Sequence, residues 1–286
     1  MKQHILVMLM LAIPFTIFCG VSVGQTQKKT NLAQLRKAAE AGDAQAQFDL
    51  AEAYDLAGDE GEAGDWYHKA ALQGHVQARN KQVANFEQNR TMAEQGDAIA
   101  QHNLGVYYAE GRGIPKNQTE AVKWYRKAAV QGYAKAQCNL GAMYHKGEGV
   151  PQDMKEAVKW FRLAADQGNA RAQYNMATTY SAAGDDRESV KWCRKSAEQG
   201  YAKAQFALGV CYAQGLGVEQ NETEAAKWFH KAAVQGDAKA QFALGMCYAQ
   251  GLVEQNEEEA FKWLDKAAKQ GHEGAIQILK AAGYYR

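Results

Sequence analysis

Tryptophan recurs along this chain at nearly constant intervals. Successive tryptophans are separated by 36, 32, 36 and 35 residues, after a first gap of 58 that equals one 36-residue unit plus a 22-residue unit. A period of this length indicates a tandem repeat architecture, in which each unit packs against its neighbours. The sequence therefore predicts an array of short repeats, marked by Trp66, Trp124, Trp160, Trp192, Trp228 and Trp263.

Each complete unit contains two amphipathic segments. The first opens with Ala-x-Ala-Gln and continues with Leu or Met, Gly or Ala, and Tyr, as in residues 202–212. The second carries Glu-Ala-x-Lys-Trp and ends in Gly, as in residues 224–236. Apolar residues at intervals of three and four lie on one helical face, so we predict two helices per unit. The units are residues 44–75, 76–97, 98–133, 134–169, 170–201, 202–237 and 238–272, and the second of them is truncated, with Gln88 in the tryptophan position.

Short glycine-containing loops join the two helices of a unit. Units 98–133, 134–169 and 202–237 have Gly-x-Gly before an apolar residue, and glycine permits the positive φ of a tight turn. Asn or Asp follows, with Glu three residues later, which is the capping-box pattern of a helix start. These pairs are Asn117 and Glu120, Asp153 and Glu156, Asn221 and Glu224, and Asn256 and Glu259. No segment has the pattern of a strand, so the sequence predicts an all-α fold.

One helix pair is too small to bury a Trp, a Tyr and a Leu by itself, so neighbouring pairs must share a core. We therefore predict that all six tryptophans are structural core residues rather than a ligand cage. Residues 32–43 have the pattern of a lone second helix, and residues 273–286 that of a lone first helix. These segments are predicted to cap the array. Residues 25–31 are predicted to form a disordered linker.

The N-terminus has the pattern of an export signal. A basic start and an apolar run over residues 5–18 precede small residues, which predicts a signal peptide over residues 1–24, cleaved after Gly24. A membrane anchor is disfavoured because the run is short and Pro14 interrupts it. Cys19 leaves a lipoprotein as the less favoured alternative, since a bulky residue precedes it. We expect an exported protein, periplasmic or secreted, without a membrane span after cleavage.

The charge balance disfavours partners that require a strongly basic surface. The chain has 33 Lys and Arg against 32 Asp and Glu. Removal of residues 1–24 takes Lys2 and no acid, so the mature chain is neutral apart from its histidines. Binding to nucleic acid or to anionic lipid in bulk needs a basic excess. Neither is therefore expected as a partner.

The cysteines of the mature chain are expected to be thiols. An even number in an exported protein raises the possibility of disulfides. Cys211 and Cys247 occupy the same register in neighbouring units, and helices packed side by side lie about 10 Å apart, beyond the reach of a disulfide. Cys193 replaces an aromatic residue and is interpreted as small core filling. Whether any pair forms a disulfide is left open by the sequence for Cys138, Cys193, Cys211 and Cys247.

The sequence contains no recognisable catalytic motif. Ser-x-x-Lys, His-Glu-x-x-His, Cys-x-x-Cys and the phosphate-binding glycine motif are all missing. His68 and His230 share one outward position in distant units, and His102 and His145 are too far apart in register to promise a metal site. We expect no catalysis, no cofactor and no metal.

The repeated strings resemble a known family. Ala-x-Ala-Gln-x-x-Leu-Gly-x-x-Tyr, Gly-x-Gly-Val and Ala-x-x-Trp-x-x-Lys-Ala-Ala-x-x-Gly are similar to the Sel-one-like repeat (SLR), a relative of the tetratricopeptide repeat (TPR), over residues 32–283. The resemblance implies a right-handed α-solenoid of tandem helix-turn-helix repeats. It also implies protein–protein interaction, as in adaptors, assembly factors and exported bacterial proteins that act at the envelope or on a host.

The resemblance also implies a position for the binding site. In TPR-like solenoids the first helices line a concave groove, into which the second, fifth, sixth and ninth residues of each unit point. Carried over by position, the groove contains a basic row (Lys135, Arg171, Lys203, Lys239), an aromatic row (Phe48, Tyr174, Phe206, Phe242, with His102 and Cys138 between them) and an amide row (Asn103, Asn139, Asn175). Such rows grip carboxylates in related repeats, which implies an acidic or C-terminal-carboxylate partner. Solvated lysines and gap-filling aromatics are the alternative interpretation.

A hydrolase of cell-wall or β-lactam substrates is the alternative function. Penicillin hydrolysis has been claimed for a cysteine-rich branch of the family, in which disulfides bridge the end of one unit to the start of the next. The corresponding unit ends here carry alanine, at positions 128–129 and 232–233. The sequence therefore favours a non-catalytic scaffold that binds a protein or peptide through its groove.

Overall fold

The computed structural model describes residues 32–253 and 255–284. The described residues form helices and connecting turns, without a strand. The predicted signal peptide and linker, residues 1–31, lie outside the described residues. The helices are α1 (32–40), α2 (Ala44–Leu56), α3 (Glu60–Leu72), α4 (Val76–Glu94), α5 (Ala98–Glu110), α6 (Gln118–Val130), α7 (Ala134–Lys146), α8 (Met154–Asp166), α9 (Ala170–Ala182), α10 (Asp186–Glu198), α11 (Ala202–Gln214), α12 (Glu222–Val234), α13 (Ala238–Ala249), α14 (Glu257–Lys269) and α15 (Glu273–Ala281).

The helices group into two compact units. The first unit contains residues 32–95 and 106–117, and the second contains residues 96–105 and the described part of 118–284. Within the second unit, α7 packs against α8, α9 against α10, α11 against α12 and α13 against α14, and each pair also contacts the next. This succession of helix pairs confirms the predicted all-α solenoid of tandem repeats. None of the described helices combines the length and apolar composition that crossing a membrane requires.

The second helices begin where the sequence predicts. The Asp153 side chain accepts a hydrogen bond from the Glu156 N–H at 3.1 Å, and Asn221 and Asn256 cap α12 and α14 in the same way. In the two shorter loops, Asp59 and Asp185 take this role. Capping satisfies amide groups that the first helical turn leaves unpaired.

The second glycine of each Gly-x-Gly loop lies against the preceding second helix. A Cβ atom added to Gly149 would lie 2.3 Å from the carbonyl oxygen of Gln118, at the start of α6. At Gly217 it would lie 2.2 Å from the carbonyl oxygen of Asp186, at the start of α10. These glycines are needed both for a positive φ, 73° and 67°, and for this close approach.

The truncated unit forms one helix, α4, instead of a pair. Its start resembles that of a first helix, because the His75 side chain caps it and stacks on Phe48 with ring centroids 4.6 Å apart. At the start of α15, His272 stacks on Phe242 in the same way, at 4.4 Å.

The rest of α4 has the register of a second helix. A Cβ at Gly113 would lie 3.1 Å from Gln82 in α4, which matches the contact of Gly149 with Gln118 exactly one 36-residue repeat later in the chain. Residues 76–97 have therefore lost the end of the first helix and the loop, so that the remaining parts continue as a single helix. Gln88 lies in the tryptophan position of this helix and is exposed.

Five of the six tryptophans are buried, and Trp124 is not. The indole of Trp124 is partly exposed, so the prediction that all six belong to the core is wrong at this position. A side chain of the preceding second helix lies against two of the other rings, Arg162 at 5.3 Å from Trp192 and His230 at 5.7 Å from Trp263. The buried residues are Trp66, Trp160, Trp192, Trp228 and Trp263, each 4–8% exposed.

Buried glutamines connect consecutive helices. The glutamine of each Ala-x-Ala-Gln accepts a hydrogen bond from a second glutamine at the end of the same repeat, as Gln173 does from Gln199 at 2.7 Å. Its own Nε2 donates to a backbone carbonyl of the preceding second helix, as Gln173 does to Ala165 at 3.1 Å. Gln47 donates to Ala39 in α1 in the same way, so α1 serves as a second helix. The same pairing joins Gln47 and Gln73, Gln101 and Gln131, Gln137 and Gln167, Gln205 and Gln235, and Gln241 and Gln270.

The tyrosine of the first helix bonds to the preceding repeat. Arg194 donates from Nη2 to the hydroxyl of Tyr212 at 2.8 Å, and its guanidinium lies 5.5 Å from the ring centroid. Arg162 contacts Tyr180 in the same way, and Arg126 contacts Tyr144. Each pair holds a second helix against the first helix of the next repeat.

The first-helix face of the second unit

The predicted groove residues lie on one side of the first helices α5, α7, α9, α11 and α13. We call this surface of the second unit the first-helix face. Residues separated by three or four positions share a helical face, which places Lys135 beside Asn139, and Arg171 beside Tyr174 and Asn175. The lysines of the basic row are exposed, and no carboxylate in the described part of the chain forms an ion pair with Lys135, Lys203 or Lys239.

Arg171 is the member of the basic row that the structure engages. Its Nη2 donates to the Oδ1 of Asn139, and its Nε donates to the Sγ of Cys138 at 3.2 Å. Cys138 itself is 1% exposed, so this member of the aromatic row does not line an accessible groove. Arg171 therefore joins α9 to α7, and its guanidinium is held in one orientation.

His102 continues this chain of hydrogen bonds to α5. Its Nε2 accepts from the Nδ2 of Asn139 at 3.1 Å, and its Nδ1 donates to the Oδ1 of Asn103 at 3.3 Å. Burial, helped by the nearby charges of Lys135 and Arg171, lowers the pKa of His102 to about 4, against the opposing effect of the hydrogen bond to Asn103. The imidazole is therefore neutral at neutral pH. Asn175 lies one turn beyond Arg171 on α9, outside this hydrogen-bonded chain.

The aromatic row is half-buried and fills space between helices. Tyr174 meets Tyr201, which precedes α11, with ring centroids 5.5 Å apart, and Phe206 meets Phe229 at 5.7 Å. Phe242 stacks on His272. These contacts agree with the interpretation that the aromatics fill gaps, and they leave only part of each ring open to a partner.

The first-helix face changes character along the second unit, a feature that the sequence analysis missed. The amide row ends at Asn175, and its register continues as Ala207 in α11 and Ala243 in α13. In the ninth position of the same repeats lie Val210 and Met246, both half-buried. Alignment of the repeats would have shown this change from asparagine to alanine. The sixth position is thus an amide on α5, α7 and α9 and an alanine on α11 and α13, the helices that carry Lys203 and Lys239.

The cysteine thiols have little nucleophilic character. All four cysteines of the described residues are free, and Cys211 is half-buried whereas the others are buried. Burial raises the pKa of Cys193 to about 12, and it raises the pKa of Cys138, Cys211 and Cys247. The thiols are therefore protonated at neutral pH, and the thiolate is the reactive form. Among the described residues, His, Cys, Asp and Glu form no cluster suited to a metal ion.

The stacked helix pairs with their glycine loops and buried glutamines define a TPR-like α-solenoid. Within this class the chain belongs to the Sel1 repeat family. The family's repeat matches residues 44–75, 98–133, 134–169, 170–201, 202–237 and 238–272. Proteins with such repeats are generally interaction scaffolds and typically non-catalytic.

Two solved structures show the same relationship. The protective antigen c5321 of uropathogenic Escherichia coli, which displays an SLR fold, is 34% identical with a TM-score of 0.63, over 87% of this chain and 58% of that chain. The chain therefore spans little more than half the length of this antigen. A Sel1 repeat protein from Oxalobacter formigenes is 32% identical with a TM-score of 0.66, over 89% of this chain and 81% of that chain. No curated protein matches the chain.

Proposed function

We propose that this chain is an exported, non-catalytic scaffold that binds a protein or peptide on its first-helix face. The observation that carries the proposal is a contrast between two sets of lysines. On the second helices, Lys227 is paired with Glu224 at 2.6 Å and Lys262 with Glu259 at 2.7 Å. On the first-helix face of the same two repeats, Lys203 and Lys239 have no carboxylate partner within the described residues. Charges that the fold leaves unneutralised are available to a partner's carboxylates.

The apolar half of this face supports a more specific partner. Val210 and Met246 offer half-buried apolar surface on the same helices as the two unpaired lysines, two turns after them. A segment that buries one or two apolar side chains there, and places an acidic side chain or its terminal carboxylate near Lys203 and Lys239, would satisfy both features. We propose an acidic or C-terminal-carboxylate segment as the partner.

The side chains of the first-helix face support binding rather than catalysis. Its histidine, His102, is neutral and hydrogen-bonded on both ring nitrogens, so it has no free base position. Its cysteine, Cys138, is buried and has a raised pKa. No pair of nucleophile and base is therefore formed on this face, which gives the hydrolase alternative no support.

A charge-reversal experiment tests the binding site. Lys203→Glu with Lys239→Glu is compared with Lys227→Glu with Lys262→Glu, which makes the same charge change on the second helices of the same repeats. A partner captured from the envelope fraction of the producing cell, then purified, is titrated against each full chain. We expect the first variant to weaken binding by about 30-fold, equivalent to roughly 2 kcal/mol, and the control to retain it.

Equal binding by the two variants would show that the first-helix face is not the site. Circular dichroism and thermal unfolding of both variants serve as the folding control, since exposed substitutions usually change stability by less than about 0.5 kcal/mol.

Export is tested on the protein from its producing cell. We expect the N-terminal sequence of the mature protein to begin at Gln25, because cleavage after Gly24 satisfies the small-residue rule of signal peptidase. An acylated Cys19 at the N-terminus would instead identify a lipoprotein. A retained Met1 would contradict export by a cleaved signal.

A further inference from the structure

A second surface of the second unit forms a cleft on the opposite set of helices. It lies along α6 and is closed on one side by the loop that follows α7, with a volume of about 550 Å³. The contact of Gly149 with the start of α6 brings this loop close and makes Val150 a wall of the cleft. Sites that hold small ligands or a few side chains typically measure about 300–1,000 Å³.

The cleft combines an apolar floor with a basic rim. Val122, 4% exposed, lies at its base, and Val130, 69% exposed, stands at its edge. The rim carries three cations and no carboxylate: Lys123, Arg126 and Lys127.

Other contacts hold the rim cations in place. Lys123 is paired with Glu120 at 2.6 Å, so its charge is partly neutralised. Arg126 bonds to the hydroxyl of Tyr144, and Lys127 lies 3.8 Å from the ring centroid of Trp124. Neither of these two has a carboxylate partner in the described residues. The cleft is therefore positively charged and its cations are pre-oriented.

Another repeat has the same basic residues together with a carboxylate. The helix α10 and the loop after α11 have the same register, with Val190, Lys191, Arg194 and Lys195 in the positions of Val122 and the three rim cations. There, Glu198 has the place of Val130, so that repeat supplies its own carboxylate beside the basic residues. In α6 this place is apolar and exposed, and the carboxylate is missing.

We propose that the cleft along α6 is a docking site for an acidic peptide segment of a partner protein. An aliphatic side chain of the segment packs among Val122, Val130 and Val150, and flanking carboxylates pair with Arg126 and Lys127. Charge complementarity selects the acidic segment, because the lining contains no carboxylate and Arg126 and Lys127 have no carboxylate partner in the described residues. This site is separate from the first-helix face and does not depend on the function proposed for it.

Peptide display tests the proposal. A library of random short peptides is selected on the full chain and counter-selected on Val130→Glu, which introduces the residue that α10 carries in this register. Enriched peptides are synthesised, and their affinities are measured by fluorescence anisotropy. The matched control is Val234→Glu, the same change at the same position of α12, where the valine is 59% exposed.

We expect the enriched peptides to contain acidic residues around an aliphatic one. Val130→Glu should weaken their binding by about tenfold or more, and Val234→Glu by less than about twofold, since like charges across an interface repel. Binding should also weaken as NaCl rises from about 0.05 to 0.5 M, because screening shortens the range of the attraction. Lys203→Glu with Lys239→Glu should leave this binding unchanged.

Several results would overturn the proposal. These are no enrichment over the counter-selected variant, enriched peptides without acidic residues, and equal losses in Val130→Glu and Val234→Glu. Binding to phosphatidylglycerol vesicles provides a further test. If the vesicles bind the wild type but not Val130→Glu, and the selection enriches no peptide, the cleft contacts lipid instead. Unchanged helicity and unfolding temperature must accompany each loss for it to count in favour of the site.

Discussion

A lysine three residues after the tryptophan shields the indole in most repeats. Its ammonium lies over the ring, where the negative face of the π system attracts a cation. In α8 the lysine is replaced by Leu163, and Trp160 is still only 8% exposed. Lys159 lies 5.5 Å from this ring centroid instead, and Trp124 is partly exposed although Lys127 lies over its ring. The lysine three residues after the tryptophan therefore does not determine burial. The distances from Nζ to the ring centroid are 3.6 Å for Lys69, 3.8 Å for Lys127, 4.3 Å for Lys195, 3.8 Å for Lys231 and 4.1 Å for Lys266.

Replacing Trp160 by alanine should be strongly destabilising. The indole is buried and its Nε1 donates to Glu156 at 3.1 Å, so truncation leaves a cavity and removes this hydrogen bond. We expect a loss of about 3–5 kcal/mol in the free energy of unfolding, measured by urea denaturation followed by circular dichroism. Trp124→Ala is the comparison, since this indole is partly exposed and should cost less. Equal losses would mean that burial does not determine the cost.

His102 should make stability depend on pH. Its pKa is about 4 in the folded protein and about 6.5 when unfolded, so between these values the unfolded chain binds a proton that the folded chain does not. Stability is therefore complete above about pH 6.5 and falls as the pH decreases toward 4. His102→Gln should therefore make the free energy of unfolding less dependent on pH in this window. If the free energy of unfolding changes with pH in the same way in wild type and in His102→Gln, His102 is not the cause of the pH dependence.

Spacing alone was enough to predict which residues are buried at most positions. The spacing of the tryptophans predicted which helix positions face the core. A residue that recurs in every repeat packs against the neighbouring repeat, and every repeat makes this contact. The hydrogen-bonded chain from Asn103 to Arg171 could not be predicted in this way. Its members are spread over three repeats, and His102 and Cys138 hold positions that are aromatic in the other full repeats. Only the packed helices show that they meet.

At the level of helices, capping residues and loops were the most informative part of the sequence. Asn or Asp with a following glutamate located the starts of the second helices, because the interaction that caps a helix is local. The single helix α4 was not predicted. Residues 76–95 contain neither glycine nor proline, so no residue ends the helix where a full repeat would turn. The lack of glycine and proline was visible in the sequence and would have predicted a single helix.

Gly149→Ala should disrupt the contact between the loop and α6. Alanine at φ 73° is strained, and its Cβ would lie 2.3 Å from the carbonyl oxygen of Gln118. Gly132 is the control, because it has φ 90° but no atom within 4 Å of an added Cβ. We expect Gly132→Ala to cost about 1 kcal/mol and Gly149→Ala about 3 kcal/mol or more, since the backbone must move as well. Similar unfolding midpoints in urea for both variants would show that the loop shifts away from α6 without cost.

For the molecule as a whole, neighbouring helices make the contacts that stabilise the fold. The stability of such a chain is approximately a sum of terms for repeats and for their junctions. The same property explains why the fold was predictable and the partner was not. A neighbour contact recurs in every repeat and leaves a periodic signal, whereas a binding surface depends on the residues in which repeats differ, such as Asn175 and Ala207.

The buried glutamines determine where the chain can gain or lose repeats. The glutamine amide of a full repeat donates to a backbone carbonyl of the preceding second helix, and its own second helix offers the same carbonyl to the glutamine of the next repeat. Duplication or deletion of a whole repeat in the gene would therefore pair each amide with a carbonyl again. Ile276 has the glutamine position in α15 and is half-buried. A copy inserted between two full repeats is matched at both junctions, whereas the helix that precedes α15 receives no glutamine amide from it. Recombination within the array is therefore the route by which its length can change without leaving a buried polar group unpaired.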